Sequence, residues 1–380
     1  MNFKPLERFL REDVPMLGIP SSDTVIYRNH EEIFRFTYGY DDLRTGEPAR
    51  ADALYNMYSI TKLATVTAGM QLFEGGEIML NEPLFAYIPE YRDIRVKCEE
   101  GTRPASSPIL LGHLFSMTAG FSYNVSSPHI KSVIERTDGR APTLDIVRAF
   151  AEEPLDFDPG ADFKYSFCHD VLGAVIEIVS GMSLGEYMKK NIFDPLGMNN
   201  TGFARTEDRL AGLTAQYSYD SKSDEIKEMD KTKCVFVFGS EYESGGAGLI
   251  STVDDQILLA DALAMGGVGK SGERILSRFA IDLMRTNHLG EKALHSFRSA
   301  LPHMASYGYG LGVRTNMEPK LTGNLSPVGE FGWDGAMASL ILADPANGIS
   351  MFHAEHVSGF GSHMLVHPKL RNLLYGCIGE

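Results

Sequence analysis

Apolar and polar residues alternate along "DTVIYRN" and again along "EEIFRFTYGY", on either side of Asn29 and His30. Period-two alternation gives each segment one core-facing side, so the pair predicts an antiparallel hairpin that opens a sheet. Downstream the period changes. From Thr61 to Glu74, "TKLATVTAGMQLFE", apolar residues recur at helical spacing and the run stops at Gly75-Gly76. That predicts an amphipathic helix with Ser59 and Lys62 at its first turn.

Between about Gly76 and Gly239 the chain is rich in turn residues. Short helical patterns recur in "SPILLGHLFSMTA", "TLDIVRAFAE" and the stronger "HDVLGAVIEIVSGMSLGEYMKKNIFDPLGM". Beyond it, "STVDDQILLADALAMGG" predicts one more helix. "YGYGLGVRT", "PVGEFGWDGAMASLILADP" and "GISMFHAEHV" have strand composition broken by Gly, Pro and Asn turns, and Pro368 to Tyr375 predicts a closing helix. Strands at both ends with helices between imply that the two ends build one sheet. The expected fold is α+β: residues 1–75 and 240–380 form a sheet domain, and 76–239 a mostly helical insert. A small-molecule site is expected in the cleft between them.

Composition narrows the function classes. Against 50 acidic residues stand 35 basic ones, a net charge of -15 without any Lys/Arg run, which argues against a nucleic-acid partner. Charges interrupt the first eighteen residues, so no secretory h-region is read there, and no stretch reaches the ~18 apolar residues of a membrane span. A cytoplasmic, soluble protein is expected. Cys98, Cys168, Cys234 and Cys377 form no C-x-x-C pair, which favours free thiols over zinc or redox chemistry. There is no G-x-S-x-G elbow and no Walker or Rossmann glycine pattern, so chemistry without a cofactor is the consistent reading.

A hydroxyl attacks well only beside a base, and residues three apart on a helix share a face, so Lys62 is placed to activate Ser59. About one S-x-x-K match is expected by chance in a chain this long, and alone the pair reads more readily as a solvated helix start. Its company decides the matter. "MYSITKLATVTAGMQLFEGGEIMLNEPLFAYIPE", "ILLGHLFSMTAGF", "DFDPGADFKYSFCHDVLGAVIEIVSGMSLGEYMKKNIFDPLGM", "SGGAGLISTVDDQ" and "GEFGWDGAMASLILADP" follow one another. In that order they resemble the serine β-lactamase and penicillin-binding protein superfamily, nearest to class C β-lactamases and family VIII esterases, from about residue 24 to 370.

The resemblance implies a β-lactamase/DD-peptidase-like fold, an antiparallel sheet flanked by helices. It implies Ser59 as nucleophile, Lys62 as its activating partner and Tyr165 as the proton shuttle. The backbone N–H groups of Ser59 and Ala336 become the oxyanion hole, with Gly335 allowing close approach. His113 takes a scaffold role. Where β-lactamases carry K-T-G this chain has Trp333-Asp334-Gly335, and where their Y-x-N motif ends in asparagine it has Phe167. Trp333 brings a flat apolar face and no charge, Asp334 would repel a carboxylate, and Phe167 removes an amide-binding group. These four positions, 167 and 333–335, are the expected substrate contacts.

The preferred reading is therefore hydrolysis of a small apolar carboxylic ester through an acyl-enzyme. Alternatives are a D-amino-acid peptidase or amidase, a weak β-lactamase, an acyltransferase, and an inactive relative kept as a binding module. The partner is a small-molecule ester or amide; oligomeric state is not encoded in any pattern found. His353, Glu355, His356, His363 and His367 lack H-E-x-x-H spacing, so no metal is expected, although Glu355 or His356 is a candidate for the pocket wall.

Overall fold

The computed structural model describes residues 1–359 and 361–379. Its main sheet has eight strands: β1 (Ser21–Arg28), β2 (Glu31–Asp42), β3 (Glu47–Pro48), β4 (Tyr307–Tyr309), β5 (Arg314–Asn316), β6 (Phe331–Asp334), β7 (Leu340–Asp344) and β8 (Ile349–Ala354). They lie in the order β4-β5-β6-β7-β8-β1-β2-β3, every neighbour antiparallel. Asn29 and His30 have φ of 52° and 70°, the left-handed pair that a tight hairpin turn of type I′ requires. Pairing of β1 with β8, Val25 opposite Phe352, joins the two ends of the chain in one sheet.

Alternation along these strands feeds two cores. Ile26, Leu340, Leu342 and Met351 point to one face, where Leu6, Leu10 and Val14 of the N-terminal helical segment pack with Leu370 and Leu374 of the C-terminal helix (His367–Ile378). Val25, Ile341, Ala343 and Phe352 point to the other, against the helix Val253–Ala264 and the bulk of the chain. A one-residue slip in register would exchange the faces, so the pattern itself fixes the pairing.

Helix α1 (Thr61–Glu74) begins and ends where the sequence predicts, but it is not amphipathic: Thr61 to Met70 and Leu72 are all buried. It runs through the large core against α2 (Cys168–Ser180). Thr65 Oγ1 donates to the Gly245 carbonyl at 2.7 Å, and Thr67 Oγ1 to the Leu63 carbonyl at 2.7 Å, so its polar side chains enter the core satisfied.

Helices are the main regular structure of the segment 76–239, but turns and irregular chain outweigh them, and two details differ from the sequence reading. The long helical pattern after Tyr165 breaks at Gly181, whose φ of 69° caps α2, and resumes at Leu184. Two antiparallel hairpins also occur that the pattern did not reveal, Arg95–Cys98 with Gly101–Pro104, and Gln216–Asp220 with Glu225–Met229. Leu114, Phe115, Val147 and Leu172 of this segment share one continuous apolar cluster with Val25, Ile341 and Phe352 of the sheet. Among the described residues no single helix is long and apolar enough to cross a membrane.

Candidate active site

Ser59 lies on the 3-10 turn Tyr58–Ile60 that leads directly into α1. Tyr58 has φ of 46°, a left-handed conformation that costs a bulky residue about 1–3 kcal/mol. Burial of its ring and a 2.8 Å hydrogen bond from Gln216 Nε2 to its hydroxyl hold it there. Lys62, one turn on, is fully buried beneath Ser59's turn. Its Nζ donates to the Gly246 carbonyl at 2.7 Å and lies 4.6 Å from the centroid of the Tyr165 ring.

The counter-charge to Lys62 is Asp170, a residue the sequence reading missed. A Cβ on Gly246 would lie 2.5 Å from Asp170 Oδ2 and 3.3 Å from Lys62 Nζ, so only glycine leaves the two charged groups room. Asp170 Oδ1 accepts from Tyr242 Oη at 2.8 Å, Ser244 Oγ at 2.7 Å and Gly246 N–H at 3.4 Å. Burial pushes its carboxyl up, while the Lys62 charge and these donors oppose the rise. Burial, and then the Lys62 charge, push neighbouring His169 down to about 3, so that imidazole is neutral. The one local clue was an acid in the first turn of α2, where the helix dipole favours it.

Tyr165 and Ser59 line the same cleft of about 410 Å³. Trp333 Nε1–H donates to Tyr165 Oη at 3.1 Å, and the two rings stack at 5.6 Å. Trp333 thus contributes a directed donor as well as an apolar face. Phe163, Leu301 and Met304 continue the wall, and His303 and His363 complete it.

Opposite Ser59, β6 ends at Asp334 and the chain turns through Gly335–Ala338. The Ala338 N–H donates to the Gly335 carbonyl at 3.1 Å, and the Gly335 N–H to the Ser339 carbonyl at 2.8 Å. A Cβ on Gly335 would sit 2.1 Å from Ser339 Oγ, 3.2 Å from the Met57 carbonyl and 3.3 Å from Ile60 Cγ1. This turn is therefore seated directly on the turn that carries Ser59. Ala336 is exposed at the cleft, and among the described residues its N–H has no protein acceptor.

A hydroxyl on a strained turn, a buried lysine under a tyrosine, and a glycine turn with an unpartnered amide meet around this cleft. The family model described as Beta-lactamase matches residues 6–360. This chain belongs to the beta-lactamase family. Protein Rv1367c of Mycobacterium tuberculosis (strain ATCC 25618 / H37Rv) is 28% identical to it over 368 residues, 94% of this chain and 90% of that protein. Esterase EstB of Burkholderia gladioli is 26% identical over 375 residues, 92% of this chain and 89% of that protein. Among solved structures, that of EstCE1, a hydrolase with promiscuous acyltransferase activity, superposes with a TM-score of 0.81 at 24% identity, covering 98% of each chain. Simvastatin synthase (LovD) from Aspergillus terreus, unliganded, does so with a TM-score of 0.79 at 20% identity, covering 99% of this chain and 98% of that one. These two likenesses establish the fold.

Four residues that the sequence reading set at or near the substrate of this beta-lactamase family member are placed differently. Phe167 does not line the Ser59 cleft: it faces a small separate pocket with Phe121, Ile130, Phe150 and Leu155. The Tyr123 ring stands between, 4.8 Å from Phe167 and 5.6 Å from Tyr165, supplied by a loop far away in sequence. Asp334 lines the cleft as expected, but its carboxylate is turned inward, with Oδ1 3.2 Å from Arg314 and 3.6 Å from Arg371, and Oδ2 3.5 Å from His367. Burial would raise its pKa, but Arg314, His367 and Arg371 hold it well below the usual carboxylate range, and the paired charge cannot act as a bare repulsive one. Glu355 and His356 are not in the wall either. Glu355 accepts from Ser362 Oγ at 2.6 Å and faces His353 Nε2 at 3.1 Å, while His356 is buried and bonds the Thr214 hydroxyl.

His113, His363 and His367, also singled out in the sequence, have structural partners. His113 Nδ1 accepts from the Leu110 N–H at 3.1 Å, capping the helix Leu111–Phe115, whose Phe115 packs on α1 at Gly69. Donor atoms of Asp334, His363 and His367 lie within 4.8 Å of one another. Two guanidiniums already serve that carboxylate, and both histidines turn Nε2 to backbone carbonyls, His363 to Gly335 and His367 to Ala338. A cation there would meet arginine charge, so the donor set does not fit a metal.

Proposed function

We propose that this family member is a serine carboxylesterase that works through an acyl-enzyme on Ser59. Ser59 Oγ attacks the ester carbonyl, and its proton passes to the coupled Lys62–Tyr165 pair and on to the departing alcohol. Water then attacks the acyl-enzyme, giving a proton to the same pair, and Ser59 is regenerated as the acid leaves. The Ser59 and Ala336 N–H groups receive the charge that develops on the carbonyl oxygen. Asp170 contributes a favourable negative charge to the buried Lys62 without contacting it directly, and the Trp333 N–H occupies one lone-pair direction of the Tyr165 oxygen, which orients the phenol.

The observation that carries the preference for esters is the wall of the cleft. Where a β-lactam or D-alanine carboxylate would need a cation, the wall offers Trp333 beside Phe163, Leu301 and Met304, and the nearby arginines are spent on Asp334. Similarity to Esterase EstB and to Lovastatin esterase of Penicillium rubens (strain ATCC 28089 / DSM 1075 / NRRL 1951 / Wisconsin 54-1255), 29% identical over 328 residues, supports the same reading. A cytosolic location belongs to the proposal: among the described residues no disulfide joins any of the four cysteines. Turnover of a p-nitrophenyl ester, nitrocefin and a D-alanine amide measured side by side tests it. The ester should exceed the other two by at least about 100-fold in kcat/KM, a gap that a binding site lacking a substrate's charged partner readily produces. Comparable or faster lactam or amide turnover would overturn it.

A further inference from the structure

The Gly335 carbonyl and the Ala336 N–H belong to one peptide unit, which is planar and trans, so they point in opposite directions. Whatever fixes the carbonyl therefore aims the amide. The Gly335 oxygen accepts two hydrogen bonds, from the Ala338 N–H at 3.1 Å and from His363 Nε2 at 3.1 Å. A carbonyl oxygen only accepts, so His363 carries its proton on Nε2, and both lone pairs of the oxygen are filled. The first bond is internal to the turn; the second reaches in from a separate element, the short helix Ser362–Leu365.

We propose that His363 is a positioning residue for the oxyanion hole: it clamps the Gly335–Ala336 peptide with its N–H toward the cleft and polarises it. The proposal rests on the acyl-enzyme reading above. Two effects act together. Clamping removes the reorganisation that a mobile amide would undergo as the oxyanion forms, which is the main source of catalysis by such donors. A hydrogen bond to a peptide carbonyl also strengthens the N–H of that peptide as a donor, by about 10–30%.

His363 is itself held for the task. Ser362 Oγ is tied to Glu355 Oε2 at 2.6 Å, and the His363 ring lies 4.9 Å from the ring of His367 and 5.7 Å from that of His303. His367 Nε2 bonds the Ala338 carbonyl at 3.1 Å, so histidines four apart hold both ends of the 335–338 turn. The cleft wall includes His363 but needs no second base, because Lys62 and Tyr165 already handle the proton.

The test compares His363→Leu, which fills the space without a donor, with His363→Gln, whose amide nitrogen takes the place of Nε2. Each is measured for kcat and KM on a p-nitrophenyl ester and for inhibition by phenylboronic acid, which forms a tetrahedral adduct on an active serine. Circular dichroism and thermal melting check the fold. His363→Leu should lose about 10-fold in kcat, a fraction of the ~10²–10³ lost when a direct oxyanion donor is removed. KM should stay within about twofold, and the boronic acid Ki should rise by the factor that kcat falls. His363→Gln should recover most of the loss. Unchanged kcat in folded His363→Leu, or equal damage in both variants, would overturn the proposal. Fluorophosphonate labelling of the unaltered protein separates the underlying reading: if Ser59 is not labelled, that reading fails and the proposal falls with it.

Discussion

Substituting Gly335 by alanine probes the contact between the two turns that meet over the cleft. The added Cβ would lie 2.1 Å from Ser339 Oγ, which can rotate away, but also 3.2 Å from the Met57 carbonyl and 3.3 Å from Ile60 Cγ1, which belong to the turn carrying Ser59. Relief requires the turns to separate by a few tenths of an ångström. Overpacking of this kind costs about 1–3 kcal/mol of stability. The same separation draws the Ala336 N–H off the oxyanion position, and loss of one such donor is worth about 10²–10³ in kcat. Gly335→Ala should therefore show a lowered melting temperature, kcat on a p-nitrophenyl ester reduced up to that extent, and KM nearly unchanged. The double variant Gly335→Ala/Ser339→Ala removes the Ser339 overlap and leaves the backbone contact, so it should regain stability without regaining kcat. A folded Gly335→Ala enzyme with kcat within about threefold of the unaltered protein would refute the placement of this turn in the transition state.

Other variants test separate parts of the site and its surroundings. Trp333→Phe keeps the stack on Tyr165 but removes the 3.1 Å donor, and should lower kcat by about 5- to 15-fold, the worth of one hydrogen bond, with little change in KM. Phe167→Asn restores the family's amide where the side chain meets Phe150 and Tyr123; it should destabilise the fold by about 3 kcal/mol in urea titration and leave nitrocefin turnover unchanged. Burial raises the Glu177 carboxyl from 4.5 to about 7, with nearby Glu243 adding to the rise and the Leu184 N–H opposing it. The folded protein thus keeps a proton that the unfolded chain releases, so stability is full below about pH 4.5 and falls as pH rises through about 7, by up to about 3 kcal/mol. Glu177→Gln should melt with the unaltered protein near pH 4.5 and above it at pH 8; equal melting at both pH values would contradict that assignment.

What was legible in the sequence was local or repeated. The Asn29-His30 hairpin and the limits of α1 follow from alternation, turn chemistry and the Gly75-Gly76 stop, all within a few residues. Ser59, Lys62, Tyr165 and the Gly335 turn came from motif order, and the structure brings them to one cleft. Asp170 and Tyr123 were missed because their places arise only from packing: Gly246 leaves room between Asp170 and Lys62, and Tyr123 arrives on a distant loop. That same ring is why Phe167 was misplaced, since motif spacing carries no information about what stands between a side chain and the cleft. The hairpin at Gln216–Met229 escaped notice because its strand Glu225–Met229 is largely exposed and charged, leaving little alternation to read. Helix α1 read as amphipathic because threonines look polar in sequence, while in the fold the Thr65 and Thr67 hydroxyls bond backbone carbonyls and the helix is buried all round from Thr61 to Met70.

The central claim is that Ser59 is the nucleophile of an acyl-enzyme. Treatment of the folded protein with a fluorophosphonate, followed by peptide mass spectrometry, tests it most directly. The account predicts a single stoichiometric adduct on the peptide containing Ser59, loss of ester hydrolysis in step with labelling, and no adduct in Ser59→Ala. No adduct in the unaltered protein, or an adduct on another residue that tracks the loss of activity, would contradict it.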